Sequence, residues 1–314
     1  MVLVRFGGRP FERLQDAFRD KGLFFADDLD DVQDTEGLVA AIGNIGARSF
    51  YERAGELRWV QSMSAGVNAY PLDVIKDRGI TLTNAAGIYG PNIADHTMAL
   101  ALMLCRQIEP MRRDVLRDGW PKKKRLPNPG ELSGQTMLVV GLGGIGEETA
   151  RRAYGLGMRI IATRRHSERP KPDFVESVHD PADLHTLLPD ADWVAVCVPY
   201  TDHTIDLIST PEFELMKPGA HILCATRGGI INTDAMIAAL DSGTLAGAGL
   251  DVTDPEPLPL DHPLWGYENV IITPHQSGHS MAADRRLEDL IHQNIVSFMN
   301  GGELRNVVNL DLQY

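Results

Sequence analysis

The sequence predicts an α/β protein made of two doubly wound, Rossmann-like parallel-sheet domains, one inserted within the other. Three observations carry this expectation. Short apolar runs alternate with helical patterns along most of the 314 residues, which is the rhythm of βαβ units and hence of a parallel sheet covered by helices. The alternation restarts at a glycine-rich turn near mid-chain, Gly141-Leu-Gly-Gly-Ile-Gly146, so something of domain size precedes it. The length itself exceeds the usual size of one domain.

In the first half, Val2–Phe6 reads as a strand and Pro10–Lys21 as an amphipathic helix, with further strands at Leu38–Ile42, Leu57–Gln61 and Ile80–Thr83. A long helical pattern runs from Asn92 to about Arg117, apolar through Met98, Leu100, Leu102 and Leu104, long enough to bridge two domains. The Pro-rich stretch 121–130 follows, and its Lys122–Arg125 run reads as a solvated loop. Later strands are expected near 137–140, 159–162, 193–198, 220–224, 247–251 and 270–272. An amphipathic helix at Met281–Phe298, followed by Val307-Val308-Asn309-Leu310, returns to complete the first domain. The expected division is 1–95 plus 285–314 for one domain and 96–284 for the other.

The mid-chain turn carries the first chemistry. Met137–Val140 is a buried strand, Glu147–Leu156 a helix, and Gly141, Gly143 and Gly146 fit G-x-G-x-x-G between them. The first glycine permits a tight turn, the second lets the backbone approach a pyrophosphate, and the third lets helix and strand pack closely. The helix N-terminus then faces the phosphates. Three polar residues lie just beyond later strands, where a doubly wound sheet places its ligands. Arg227 can clamp a carboxylate and polarise a neighbouring carbonyl. His275, held against a carboxylate such as Glu256, can carry a proton near neutrality and donate it.

The sequence resembles the D-isomer-specific 2-hydroxyacid dehydrogenases from about Leu57 to Asn309. The resemblance rests on Gly141–Gly146, Cys197-Val-Pro199 with Thr204, Thr226-Arg-Gly-Gly229, Asp251-Val with Glu256-Pro257, and Thr273-Pro-His275. Ala65-Gly66-Val67-Asn68 and Ile93-Ala-Asp-His-Thr-Met-Ala-Leu100 are also similar. The resemblance implies that Arg227 binds the carboxylate and carbonyl of a 2-oxo acid, with Ala65 and Gly66 also at the substrate. It makes His275 the general acid/base, oriented and charged by Glu256. The cofactor would meet Gly141, Gly143, Gly144, Ile145, Gly146, Val198, Pro199, Thr204, Ala225, Thr226, Asp251 and Gly278, with Asp251 at the nicotinamide end. Asn68 stands where the family often has Asp, and Asp95 where it usually has Glu. Ser64, Ile88, Tyr89, Trp120 and Trp265 are further expected pocket residues.

An NAD-preferring domain carries an acid at the end of its second strand. Here Thr163, Arg164 and Arg165 occupy that place. Two guanidiniums and a hydroxyl suit a 2′-phosphate, so the expected cofactor is NADP(H), with NAD(H) weaker. The NADPH-using relatives point to small 2-oxo acids such as glyoxylate and hydroxypyruvate, reduced to the D-2-hydroxy acid. The alternatives are a bulkier 2-oxo acid, or a nucleotide-sensing, corepressor-like interaction protein. An amide in place of Glu256 would favour formate oxidation.

The net charge of −13 argues against nucleic acid or an anionic membrane as bulk partner. No apolar run is long enough for a bilayer span and no signal-peptide pattern opens the chain, so a cytoplasmic enzyme is expected. The histidines at 203, 262 and 279 lack metal-ligand spacing, and Cys105, Cys197 and Cys224 read as inert core thiols. The resemblance and the apolar, Pro-rich stretch from Asn92 through Trp120 imply a homodimer.

Overall fold

The computed structural model describes residues 2–4, 11–22, 24–26, 35, 37–120 and 129–314. The Lys122–Arg125 run lies outside the described residues, as do Arg5, Phe6 and Pro10 at the edges of two expected elements. The chain divides into two compact units, Met1–Tyr89 with His279–Tyr314, and Gly90–Gly278.

The first unit opens with β1 (Val2–Val4), α1 (Glu12–Phe18), β2 (Phe24–Ala26), β3 (Ala40–Ile42), α2 (Arg48–Arg53), β4 (Trp59–Gln61), α3 (Leu72–Asp77) and β5 (Thr81–Thr83). All pairings are parallel, in the order β2-β1-β3-β4-β5. β3 and β4 are buried along their whole length, as strands covered on both faces must be. Phe50, Tyr51, Val60, Ile75 and Leu82 share one core. β2 was not among the expected strands.

The second unit comprises α4 (Gly90–Arg106), α5 (Ile108–Asp118), β6 (Thr136–Val140), α6 (Gly144–Gly155), β7 (Arg159–Thr163), β8 (Ser177–His179), α7 (Leu184–Leu187), β9 (Trp193–Val196), α8 (Thr210–Leu215), β10 (Ala220–Cys224), α9 (Thr233–Ser242), β11 (Leu245–Leu250) and β12 (Val270–Ile272). Its seven strands are parallel in the order β12-β11-β10-β9-β6-β7-β8. The sequence order reverses between β6 and β9, and such a switch point is where doubly wound sheets bind ligands. Apolar side chains bury both faces of this sheet. β8 is a second short edge strand that the sequence pattern did not mark.

The long helix expected from Asn92 to Arg117 is two helices. Gln107 adopts a left-handed backbone (φ +54°) between α4 and α5. Pro110 supplies the reason. In one continuous helix its ring would clash with the preceding turn, whereas in the first turn of a helix starting at Ile108 it is tolerated.

The last helix, α10 (Met281–Met299), belongs to the first unit. Ser280 caps it by accepting the Ala283 amide, and it buries Leu287, Leu290, Ile291, Asn294 and Ile295. Phe298 lies 5.0 Å from Trp59 between ring centroids, and Asn294 donates to Gln61 Oε1 at 2.7 Å. Val307 then forms an antiparallel bridge with Thr83. The unit boundaries fall at 89/90 and 278/279 instead of 95/96 and 284/285. Helix starts set them: α4 begins at Gly90, and α10 is capped at Ser280.

Candidate active site

The glycine turn joins β6 to α6 at the switch point. Gly141 has φ +99°, and a Cβ there would lie 2.7 Å from Val198 Cγ1. A Cβ on Gly146 would lie 2.1 Å from the Gly141 carbonyl oxygen, so only glycine lets α6 pack this closely on the turn. A Cβ on Gly143 would meet nothing within 4 Å. Gly143 is the N-cap of α6 and offers no side-chain cap, so the first-turn amides at Gly144, Ile145 and Gly146 end the helix without a side-chain acceptor. Open space before a helix N-terminus is the cradle a pyrophosphate needs.

At the end of β7, Thr163 is buried, and its hydroxyl accepts the Gly141 amide at 3.2 Å. It therefore holds the glycine turn from inside. Arg164 donates from Nε to the His166 carbonyl at 3.0 Å and from Nη2 to the Arg169 carbonyl at 2.5 Å, which anchors its guanidinium on the loop after β7. Arg165 is exposed. No acid stands at 163–165.

The loop after β9 brings Val198 against Gly141 and is tied internally. Thr204 Oγ1 donates to the Pro199 carbonyl at 2.7 Å and accepts the Thr201 amide at 2.8 Å. Ala225 and Thr226 are buried just beyond β10. Arg227 follows them, and its Nη1 donates to the Thr226 carbonyl at 2.7 Å. Burial lowers the Arg227 guanidinium from its ordinary value, while the Glu256 carboxylate pulls it back up. Arg227 and Glu256 thus share one electrostatic neighbourhood.

His275 Nδ1 lies 2.6 Å from Glu256 Oε1. Both side chains are about two-fifths exposed, so the pair is open to solvent-borne reactants. His275 has a left-handed backbone (φ +53°), uncommon for a residue with a side chain. Its amide donates to the Asp251 carbonyl at 2.8 Å. The Asp251 carboxylate is 1% exposed. It accepts the Thr273 hydroxyl at 2.6 Å, the Gln276 amide at 2.9 Å and the Ser277 amide at 2.8 Å. Burial pushes Asp251 upward, but the donors from Ser277, Thr273 and Gln276 outweigh it and hold the carboxyl below its ordinary range. Gly278 closes this segment in open space.

Arg227, Glu256 and His275 all sit in the second unit. Ala65 and Gly66 belong to the first, in the loop after β4, where Asn84 Nδ2 donates to the Ala65 carbonyl at 2.8 Å. Tyr89 is buried there, with its hydroxyl donating to the Met63 carbonyl. Trp265 donates to the Pro259 carbonyl at 2.8 Å, and Trp120 is exposed. Sequence reasoning missed the Thr273 hydroxyl and the amides of Gln276 and Ser277. Among the described residues, no His, Cys, Asp or Glu group is placed to hold a metal ion. None of their helices is long and apolar enough to cross a membrane.

Residues 98–277 match the family model described as "D-isomer specific 2-hydroxyacid dehydrogenase, NAD binding domain". The chain belongs to this family. It is 32% identical over 290 residues to a glyoxylate reductase of Thermococcus litoralis, covering 90% of this chain and 86% of that protein. A crystal structure of a D-isomer specific 2-hydroxyacid dehydrogenase family protein from Aeromonas salmonicida is similar, with a TM-score of 0.82 and 30% identity, covering 99% of this chain and 98% of that one. A D-isomer specific 2-hydroxyacid dehydrogenase from Xanthobacter autotrophicus, solved with NADPH and MES, has a TM-score of 0.84 and 25% identity over the full length of both chains. The chain is an oxidoreductase of this family with a nicotinamide-binding domain.

Proposed function

We propose that this protein reduces a small 2-oxo acid to the D-2-hydroxy acid with NADPH, glyoxylate and hydroxypyruvate being the first candidates. The observation that carries the reading is the 2.6 Å His275–Glu256 pair, with Arg227 in the field of the same glutamate. A nicotinamide cofactor held there would supply the hydride. His275, oriented through Nδ1 by Glu256, donates a proton from Nε2 to the developing alkoxide. Arg227 binds the carboxylate and neutralises charge growing on the carbonyl oxygen. Ala65 and Gly66 are the substrate-loop residues the family resemblance assigns.

The glycine turn, the uncapped α6 amides and Asp251 form the nicotinamide dinucleotide site in this reading, with Val198, Pro199, Thr204, Ala225, Thr226 and Gly278 around it. The preference for NADPH rests on Arg164 and Arg165 standing where an acid would select NAD. Thr163 is buried and holds the turn by accepting the Gly141 amide. A homodimer is part of the proposal: α5 buries none of its residues and leaves Leu116 70% exposed beside an 89% exposed Trp120.

The test is NADPH and NADH oxidation with a panel of 2-oxo acids of graded size, alongside sedimentation of the purified protein. Turnover of glyoxylate or hydroxypyruvate with higher kcat/KM for NADPH supports the reading. Turnover of bulkier acids only, or an NADH preference, overturns the corresponding part. Tight NADPH binding with no turnover of any acid would assign a nucleotide-sensing role instead.

A further inference from the structure

We propose that His96 and Asn92 on α4 are positioning residues for the proton donor, holding the left-handed His275 turn through Thr273 and Ser277. The proposal deepens the reading in which His275 is the general acid. Its basis is a closed set of hydrogen bonds within the second unit. His96 Nε2 lies 2.8 Å from Thr273 Oγ1, and Thr273 Oγ1 lies 2.6 Å from Asp251 Oδ1. A hydroxyl has one proton, and an ionised carboxylate can only accept. The Thr273 proton therefore goes to Asp251, and His96 must donate from Nε2 to the hydroxyl oxygen. This places a proton on His96 Nε2.

Asn92 Nδ2 donates at 2.6 Å to the carbonyl of Ser277, four residues downstream of Thr273. The Ser277 amide is held by Asp251 Oδ2. The segment 273–277 is therefore clamped at both ends by α4 and along its length by Asp251. His275 sits in the middle of it at φ +53°, a conformation that persists only when its surroundings impose it. Asp251 imposes it from one side, and α4 supplies the fixed surface against which Asp251 and Thr273 are aligned. His96 reaches Thr273 and Asn92 reaches the Ser277 carbonyl, so both act on the aim of the imidazole.

The experiment compares His96→Leu, His96→Gln, Thr273→Val and His275→Asn in the full-length protein. It reads kcat and KM with glyoxylate, NADPH affinity by fluorescence titration, and the melting temperature. His96→Leu and Thr273→Val should lower kcat at least tenfold, with NADPH affinity within about twofold of the parent. His96→Gln, whose amide nitrogen can replace the Nε2 donor, should recover kcat to within about threefold of the parent. A His96→Leu enzyme with full kcat overturns the proposal, as does a His96→Gln enzyme as slow as His96→Leu. If His96→Leu does not fold, Thr273→Val and the His96→Gln rescue decide. His275→Asn separates the two levels: full activity there overturns the role of His275 itself, whereas loss there with unchanged His96 and Thr273 variants overturns only the positioning role.

Discussion

His275 and Glu256 face each other at 2.6 Å although 19 residues separate them in sequence. The β11 end that carries the glutamate loop and the β12 end that carries the histidine are neighbours in one parallel sheet. The two strands deliver them to the same edge, which is how parallel strands assemble sites from distant segments.

If this pair moves the proton, removing the imidazole removes the transfer step and little else. His275→Asn should lower kcat by about 10²–10⁴-fold while NADPH still binds. Glu256→Gln should lower kcat less, because the amide still orients the ring but no longer stabilises its charge. Steady-state kinetics across pH 5 to 9 with both variants checks this.

The glycine turn separates packing from binding. Gly146→Ala places a Cβ 2.1 Å from the Gly141 carbonyl and should cost roughly 1–3 kcal/mol of stability, read as a lower melting temperature. Gly143→Ala meets no protein atom within 4 Å. It should melt like the parent yet bind NADPH at least tenfold more weakly.

Cofactor choice should follow charge at the end of β7. Arg164→Asp should lower kcat/KM for NADPH by about 100-fold, on the scale of a lost charge pair, and change the NADH value far less. It also removes the donors to the His166 and Arg169 carbonyls, so the melting temperature should be measured beside the kinetics.

Stability should fall in mild acid because of His221. Its ring stacks on Trp193 at 4.2 Å between centroids, and burial lowers its pKa from 6.5 to about 4. Between those values the unfolded chain takes up a proton that the folded chain does not. Folding is then destabilised as pH drops from 6.5 towards 4, by at most about 3 kcal/mol. Denaturant midpoints at pH 7, 6 and 5 should show this slope for the parent and a weaker one for His221→Phe.

Much of this architecture is legible in the amino-acid sequence. The expected strands around the glycine turn carry continuous apolar runs, because both faces of a parallel sheet are covered. Arg227, Glu256 and His275 stand out in the sequence because each lies three to six residues beyond the end of such a strand. β8, Ser177-Val178-His179, carries a single apolar residue and gave no comparable signal. The break at Gln107 was written in Pro110 but hidden by an apolar period that runs through both helices. The anchoring of Asp251 was not readable, since it depends on amides and a hydroxyl more than twenty residues away, and backbone donors have no residue type to recognise.

The return of α10 has a consequence for the order in which the chain matures during synthesis. Residues 1–89 emerge first, yet Trp59, Gln61 and Thr83 find Phe298, Asn294 and Val307 only after residues 90–278 have been made. The unit begun first is therefore finished last. Its exposed apolar face must wait through the synthesis of the other, and shortening the chain from its C-terminal side wounds the earliest-made part while sparing the middle.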